Sequence, residues 1–455
     1  MNYTKELAEF CSGLSYDAIP REVIHKAKLC LLDYIANIYG SLELKATRAV
    51  IEYVRSLGGD SRATALGCGF KTGVQSAAFI NGTTAESIEA QDGLRFGGNH
   101  PVSAVIPAAL AIAEERNLCG KKLLEAIVVG YEIANRASSA MHPFHTLSGF
   151  LPTGTCGTFG AAAAVAKMYG LNADNTLNAI GNAGYLLPLS MAEHLMGGYT
   201  IKIVQGGQAA SAGIMAAGLA ENGITGSPFV LEGSALKGGF TQITTKAEPK
   251  LERLTDRLGE YYSIMDIYFK PFTACRHTHA AAQATLEIIR QNRINADDIK
   301  SITASTYSVA LIAVGKGVSD GGSFVSAQFS IPYVVAACIL DDDLGPSQIT
   351  EQRMADPGIM ELARRVTVKS DNSLNAMYPD KTAGKIEISL KNGDRIERMV
   401  DIPKGDPRDP MEEKDIIDKI KRFSASRRDV PVDEIADQVM NIEKAGCINK
   451  LVTLI

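Results

Sequence analysis

The residues best suited to proton chemistry stand in a few short segments. In SIEAQDGLRFGGNHP, Glu89 and Asp92 lie three apart, which puts both carboxylates on one face if the segment is helical, with Arg95 one further turn along. His100 follows eight residues after Asp92 and precedes Pro101, a natural first helical residue, so its imidazole sits where a helix N-terminus favours anions. Paired carboxylates beside a histidine suit general acid and base work, because mutual repulsion raises one of the two pKa values. In CRHTHAAA, His277 and His279 point the same way if extended and diverge if helical, so at most one is expected to act. Lys202, preceded by GGYTI and followed by Gly206 and Gly207, could approach an anionic ligand. Each also has a bland reading: a capping histidine, an exposed charge set, a solvated lysine. His194, in MAEHLMGG, has only Glu193 for polar company and reads as structural.

Other chemistries find no footing. GTCGTFG carries Gly154, Gly157 and Gly160 at GxxGxxG spacing with no strand before it, which predicts close helix packing and no dinucleotide loop. There is no GxxxxGK[ST], GxSxG or HExxH. Eight scattered cysteines form no CxxC pair or zinc-spaced cluster; they are expected to be reduced and mostly buried, and no metal is expected. With 46 Lys and Arg against 51 Asp and Glu, the net charge of -5 leaves no basic excess for nucleic acid. Ala104 to Ala113 and Ile331 to Leu340, the longest apolar runs, reach half of the roughly 20 residues that span a bilayer. MNYTKELAEFCSGL lacks the apolar core of a secretory signal, so a cytoplasmic protein is expected.

These residues need elements to hold them. The chain has 455 residues, 46% apolar and 21% charged, enough for a large core with or without a second domain. Up to about residue 262 the texture is helical and rich in Ala and Gly. Pro20 opens a helix whose Ile24, Leu31, Leu32, Ile35 and Ile38 recur at helical spacing up to Gly40. Further helices are predicted over 102–116, 121–140, 156–168, 173–184 and 207–221, the small-residue ones being central. Period-2 alternation begins after KPFTACRHTHAAA: Ile302, Ala304 and Thr306, then ARRVTVKSD, then KIEISL and RIERMV around Asn392-Gly393, a hairpin signal that calls for positive φ at both residues. A mainly α fold is therefore predicted, with a helical domain over 1–262 rejoined by 406–455. An α+β domain over 263–405 carries a small antiparallel sheet. The last helix presents Ile416, Ile417, Ile420 and Phe423 on one face.

Taken together, IPREVIHKAKLCLLDYIA, NGTTAESIEAQDG, HPVSAVIPAALAIAE, LPTGTCGTFGAAAAVAKMYGL, IKIVQGGQAASAGIMAAGLAENGITG, KPFTACRHTHAA, FSIPYVVA, DPGIMELARRVTV and KIEISLKNGD resemble the MmgE/PrpD family nearly end to end. The resemblance implies a helical domain built from both chain ends with an inserted α+β lid, the active site between them, and a homodimer. It also implies proton abstraction next to a carboxylate without metal or organic cofactor, followed by loss of hydroxide, loss of carbon dioxide or reprotonation. By motif, His100 stands at the family's loop histidine, Lys202 at its motif lysine and His279 at the histidine of its TH pair. EAQD replaces a DFDD-type stretch, Leu151 replaces a frequent histidine in the FHPTG pattern, and Gln205 replaces the histidine three residues after the lysine. The reading is a lyase or isomerase of a small carboxylic acid, of the 2-methylcitrate dehydratase kind. His100, His279 and one of Glu89 or Asp92 would move protons. Lys202 and Arg95 would hold carboxylates, with Gln205 and His277 binding substrate. An epimerase of an iminodisuccinate-type diacid and a catalytically silent binding homologue are the alternatives.

Overall fold

Helix formation follows the alanine-rich periodicity through the first half of the chain. In the computed structural model, which describes residues 2–319, 321–427 and 429–455, the long helices are Arg21–Ser41, Val74–Ser87, Val102–Glu115, Gly120–Met141, Pro152–Tyr169, Ala173–Leu186 and Gln205–Glu221. Each expected helix is present. Pro20 and Pro101 sit at N-caps and Pro152 opens its helix, where a missing N–H costs nothing.

The small residues let these helices touch backbone to backbone. A Cβ on Gly160 would stand 2.5 Å from the Gly130 carbonyl oxygen and 2.8 Å from the Ala134 Cβ. Gly160→Val should therefore destabilise the protein by about 1–3 kcal/mol through overpacking, read as a lower thermal midpoint. An unchanged midpoint would contradict this packing. The GxxGxxG segment is thus a helix contact, as its spacing suggested.

The second half adds a four-stranded sheet in the order Val366–Ser370, Ile299–Thr306, Gly384–Leu390, Arg395–Val400. Ile302 pairs with Ile388 and Ile388 with Ile396 in antiparallel ladders, but Ile302 pairs with Val366 in parallel. Three strands thus form the expected small antiparallel sheet, and Val366–Ser370 joins its edge strand Ile299–Thr306 in parallel. The helices Ile331–Asp341 and Pro357–Arg364 lie between those two strands and supply the crossover that a parallel pair requires. The hairpin also differs from the two-residue turn. Leu390 N–H donates to the Asp394 carbonyl at 2.9 Å, enclosing Lys391 to Gly393, and only Gly393 of these has positive φ, at 100°. Asn392 spends its side-chain oxygen on the Asp394 N–H instead. Gly384, Ile386 and Ile388 face inward, with Gly384 close to Ala280 of the His279–Asn292 helix.

The helix Glu413–Phe423 lies against Arg21–Ser41, with Ile416, Ile420 and Phe423 buried. Lys419 Nζ sits 2.6 Å from Asp33 Oδ1 and donates to the Ala90 carbonyl, one residue beyond Glu89. All eight cysteines are unpaired; Cys11, Cys30, Cys156 and Cys338 are buried, whereas Cys447 is exposed. Among the described residues no helix is long and apolar enough to cross a membrane.

Candidate active site

The Val74–Ser87 helix ends at Ile88, and Glu89 turns the chain at a φ of 53°. Glu89 and Asp92 consequently do not share a helical face, which corrects the i,i+3 geometry. The next two residues, Gly93 and Leu94, pair antiparallel with Tyr268 and Ile267. This short ladder brings the segment that carries Lys270 against the loop that carries Glu89 and His100. It needs glycine at 93: a Cβ there would lie 2.4 Å from Tyr268 Oη and 2.9 Å from His100 Nδ1.

A buried charge network results. Lys202 Nζ lies 2.8 Å from Glu86 Oε1 and 2.5 Å from Glu89 Oε2, and Lys270 Nζ lies 2.6 Å from Glu89 Oε1. All four side chains are buried. Burial works to raise the Glu89 carboxyl, but the Lys202 and Lys270 ammoniums, with His100, outweigh it and hold it well below the usual carboxylate range. Burial likewise works to lower Lys202, and Glu86 and Glu89 reverse that, keeping it a cation. Gln205 donates from Nε2 to Glu86 Oε1 at 2.8 Å. The network therefore joins Glu86, Glu89, Lys202, Gln205 and Lys270. Two ammoniums face two carboxylates.

His100 stands beside it. Its Nδ1 bonds the Asp92 carbonyl and its backbone N–H donates to Thr153 Oγ1. A carbonyl only accepts, so Nδ1 carries the hydrogen and Nε2 is left with the lone pair. Burial, with Lys270 next, pulls the imidazole down to about 4, so it is neutral, with Nε2 proton-free, at physiological pH. Asp92 lies behind it, accepting from Tyr131 Oη at 2.7 Å and from the Val102 N–H at 3.3 Å. Burial pushes the Asp92 carboxyl up to about 7 against the Tyr131 hydrogen bond. Of the two expected carboxylates, Glu89 joins the lysines and Asp92 braces the histidine loop.

The two histidines of CRHTHAAA separate. His279 is fully buried, with Nε2 on the Ala274 carbonyl at 3.0 Å and its ring against Phe272. His277 is half-buried, bonds Tyr307 Oη through Nδ1, and is pulled down to about 4 by burial and by Lys270, Arg276 and His142. Arg95 stacks on Phe96 and donates to the Pro379 carbonyl at 3.3 Å. His194 packs edge-on to Tyr199. Glu86, Lys270, His142 and Tyr307 escaped the sequence reading. Glu86 lies three residues before Glu89, and Lys270 opens KPFTACRHTHAAA, whose histidines are the more conspicuous groups.

The chain matches the MmgE/PrpD N-terminal domain over residues 5–252 and the MmgE/PrpD C-terminal domain over residues 272–443. It is 27% identical to a cis-aconitate decarboxylase of Aspergillus terreus, over 99% of this chain and 95% of that protein. Against the Homo sapiens cis-aconitate decarboxylase it is 26% identical, over 99% and 94%. A 2-methylcitrate dehydratase of Cupriavidus necator is 26% identical over 63% of this chain and 60% of that protein. Decarboxylase and dehydratase are both lyases, and one domain model alone spans more than half of the chain. By that coverage the chain belongs to the MmgE/PrpD family and is an enzyme of its lyase kind.

Proposed function

We propose that the protein removes a proton next to a carboxylate of a small carboxylic acid, without a cofactor, and then expels a leaving group or reprotonates the carbon. The observation that carries this reading is the neutral His100, its Nε2 lone pair available, beside the buried Lys202–Glu89–Lys270 network. A carbon acid needs a base at the proton and cations where negative charge develops on the carboxylate. Lys270 has one carboxylate partner among the described residues and keeps two N–H donors for a substrate oxygen, while Lys202 spends two of its three on Glu86 and Glu89. Glu89 holds both ammoniums in place, and Arg95 can take a second carboxylate.

His277 and its partner Tyr307 belong to the α+β half, and His100 belongs to the helical half. A second acid/base group on another wall favours an isomerase or epimerase as the second reading, since inversion needs groups on both faces of the carbon. We further propose that 1–262 with 406–455 forms one domain and 263–405 the other, a division supported by the Asp33–Lys419 contact between the chain ends.

The test is proton NMR in deuterated water with hydroxy-, amino- and unsaturated di- and tricarboxylic acids. New vinyl signals or a lost carboxylate mark a lyase, and deuterium entering at the α-carbon without net conversion marks an isomerase. No change in any acid at high enzyme concentration would overturn the catalytic reading in favour of a binding protein.

A further inference from the structure

A cavity of about 200 Å³ opens beside Lys202, lined by Leu151, Ile201, Val204, Ser190, His194 and Gln205. It is smaller than the roughly 300–1,000 Å³ of drug-sized sites, so it holds one branch of a small molecule. Among the described residues Lys202 is its only lysine or arginine, and that charge is already matched by Glu86 and Glu89. A carboxylate entering here would lose its water without meeting an unpaired Lys or Arg, which disfavours it. The apolar Leu151, Ile201 and Val204 repel it further.

One polar atom in this wall is built and unused. Gln205 is 6% exposed. Because its Nε2 donates to Glu86, its amide orientation is set, and the carbonyl oxygen Oε1 is buried with no hydrogen-bond partner. A buried acceptor left unpaired is costly, and a ligand donor recovers that cost. Ser190 Oγ, on the same wall, is also buried and unpartnered. Glu86 thus fixes which end of the Gln205 amide is left unpartnered.

We propose that this cavity is the subsite for an uncharged, hydroxyl-bearing branch of the substrate, with the hydroxyl donating to Gln205 Oε1 and a short alkyl group on Leu151 and Val204. The substrate is then a hydroxy acid with an alkyl branch in place of a third carboxylate. This rests on the reading that a substrate carboxylate is held at the lysine network.

Calorimetric titration of the full-length protein with 2-hydroxy-2-methylsuccinate, 2-methylsuccinate and citrate tests it. The hydroxylated methyl diacid should bind at least about tenfold tighter than each of the others. Gln205→Leu should bring the two methyl diacids within about threefold of each other, and Leu151→His should narrow the gap to citrate. Citrate or 2-methylsuccinate binding as tightly as the hydroxylated diacid overturns the inference while leaving carboxylate binding intact. So does an unaltered preference in Gln205→Leu whose melting curve matches the parent. If none of the three binds, the carboxylic-acid reading falls and this inference with it.

Discussion

Replacing Glu89 by leucine is expected to abolish turnover and to lower stability by about 3–5 kcal/mol, the cost of leaving a buried ammonium without its counter-charge. Lys270 is fully buried and Glu89 is its carboxylate partner, at 2.6 Å. Lys202 keeps Glu86 at 2.8 Å, so the loss falls mainly on Lys270. The double variant Glu89→Leu with Lys270→Met should recover most of the stability, because an apolar pair of similar volume pays no desolvation, yet stay inactive. Urea denaturation of the two single variants and the double one separates these contributions. A single variant as stable as the parent would mean that the lysine is solvated and the network is not the closed cluster described here.

His100→Gln is the second large effect: a fall in kcat of about 10²–10⁴ with the fold retained, the usual contribution of a positioned base. The imidazole is held at about 4 by burial and by Lys270. Its active, proton-free form therefore persists through neutral pH and is lost as pH falls through 4, so kcat/KM should show an acid limb near that value. The sign for stability follows from the same shift. A histidine whose folded pKa lies below its unfolded value of about 6.5 contributes full stability above that pH and loses it on acidification from about 6.5 to 4. His277 is held at about 4 as well and adds in the same direction. Asp92 opposes them: raised to about 7, it binds a proton in the folded state that the unfolded chain releases near 4, so its contribution is lost as pH rises from about 4 to 7. Rate measurements from pH 3.5 to 8 on the parent and on His100→Gln decide the assignment. An acid limb that survives the substitution would give the role to another group, with His277 first in line.

Much of the architecture was legible in the chain. Helical spacing in Ile24, Leu31, Leu32, Ile35 and Ile38, and the glycines of GTCGTFG, are local patterns whose packing consequence is nearly independent of distant sequence. The parallel placement of Val366–Ser370 was not legible, because strand order depends on which long-range partner wins and alternation says nothing about direction. The hairpin loop departs from the two-residue turn for a local reason: Asn392 satisfies the Asp394 N–H with its side chain, which removes the need for a second left-handed residue.

At the site, sequence alone determined the residue types: a histidine before a helix-opening proline, a lysine before paired glycines, acidic groups nearby, and the family to which their order belongs. Tertiary structure decided their partners. Glu89 leaves its helix, so it meets Lys202 and Lys270 while Asp92 turns to Tyr131 and Val102. His279 is buried on the Ala274 carbonyl and His277 goes to Tyr307. Lys270 reaches the site only because Gly93 and Leu94 pair with Tyr268 and Ile267, some 170 residues away in sequence. Charge, burial and pKa are properties of the neighbours a side chain meets, and those neighbours are set by long-range pairing that no local spacing encodes.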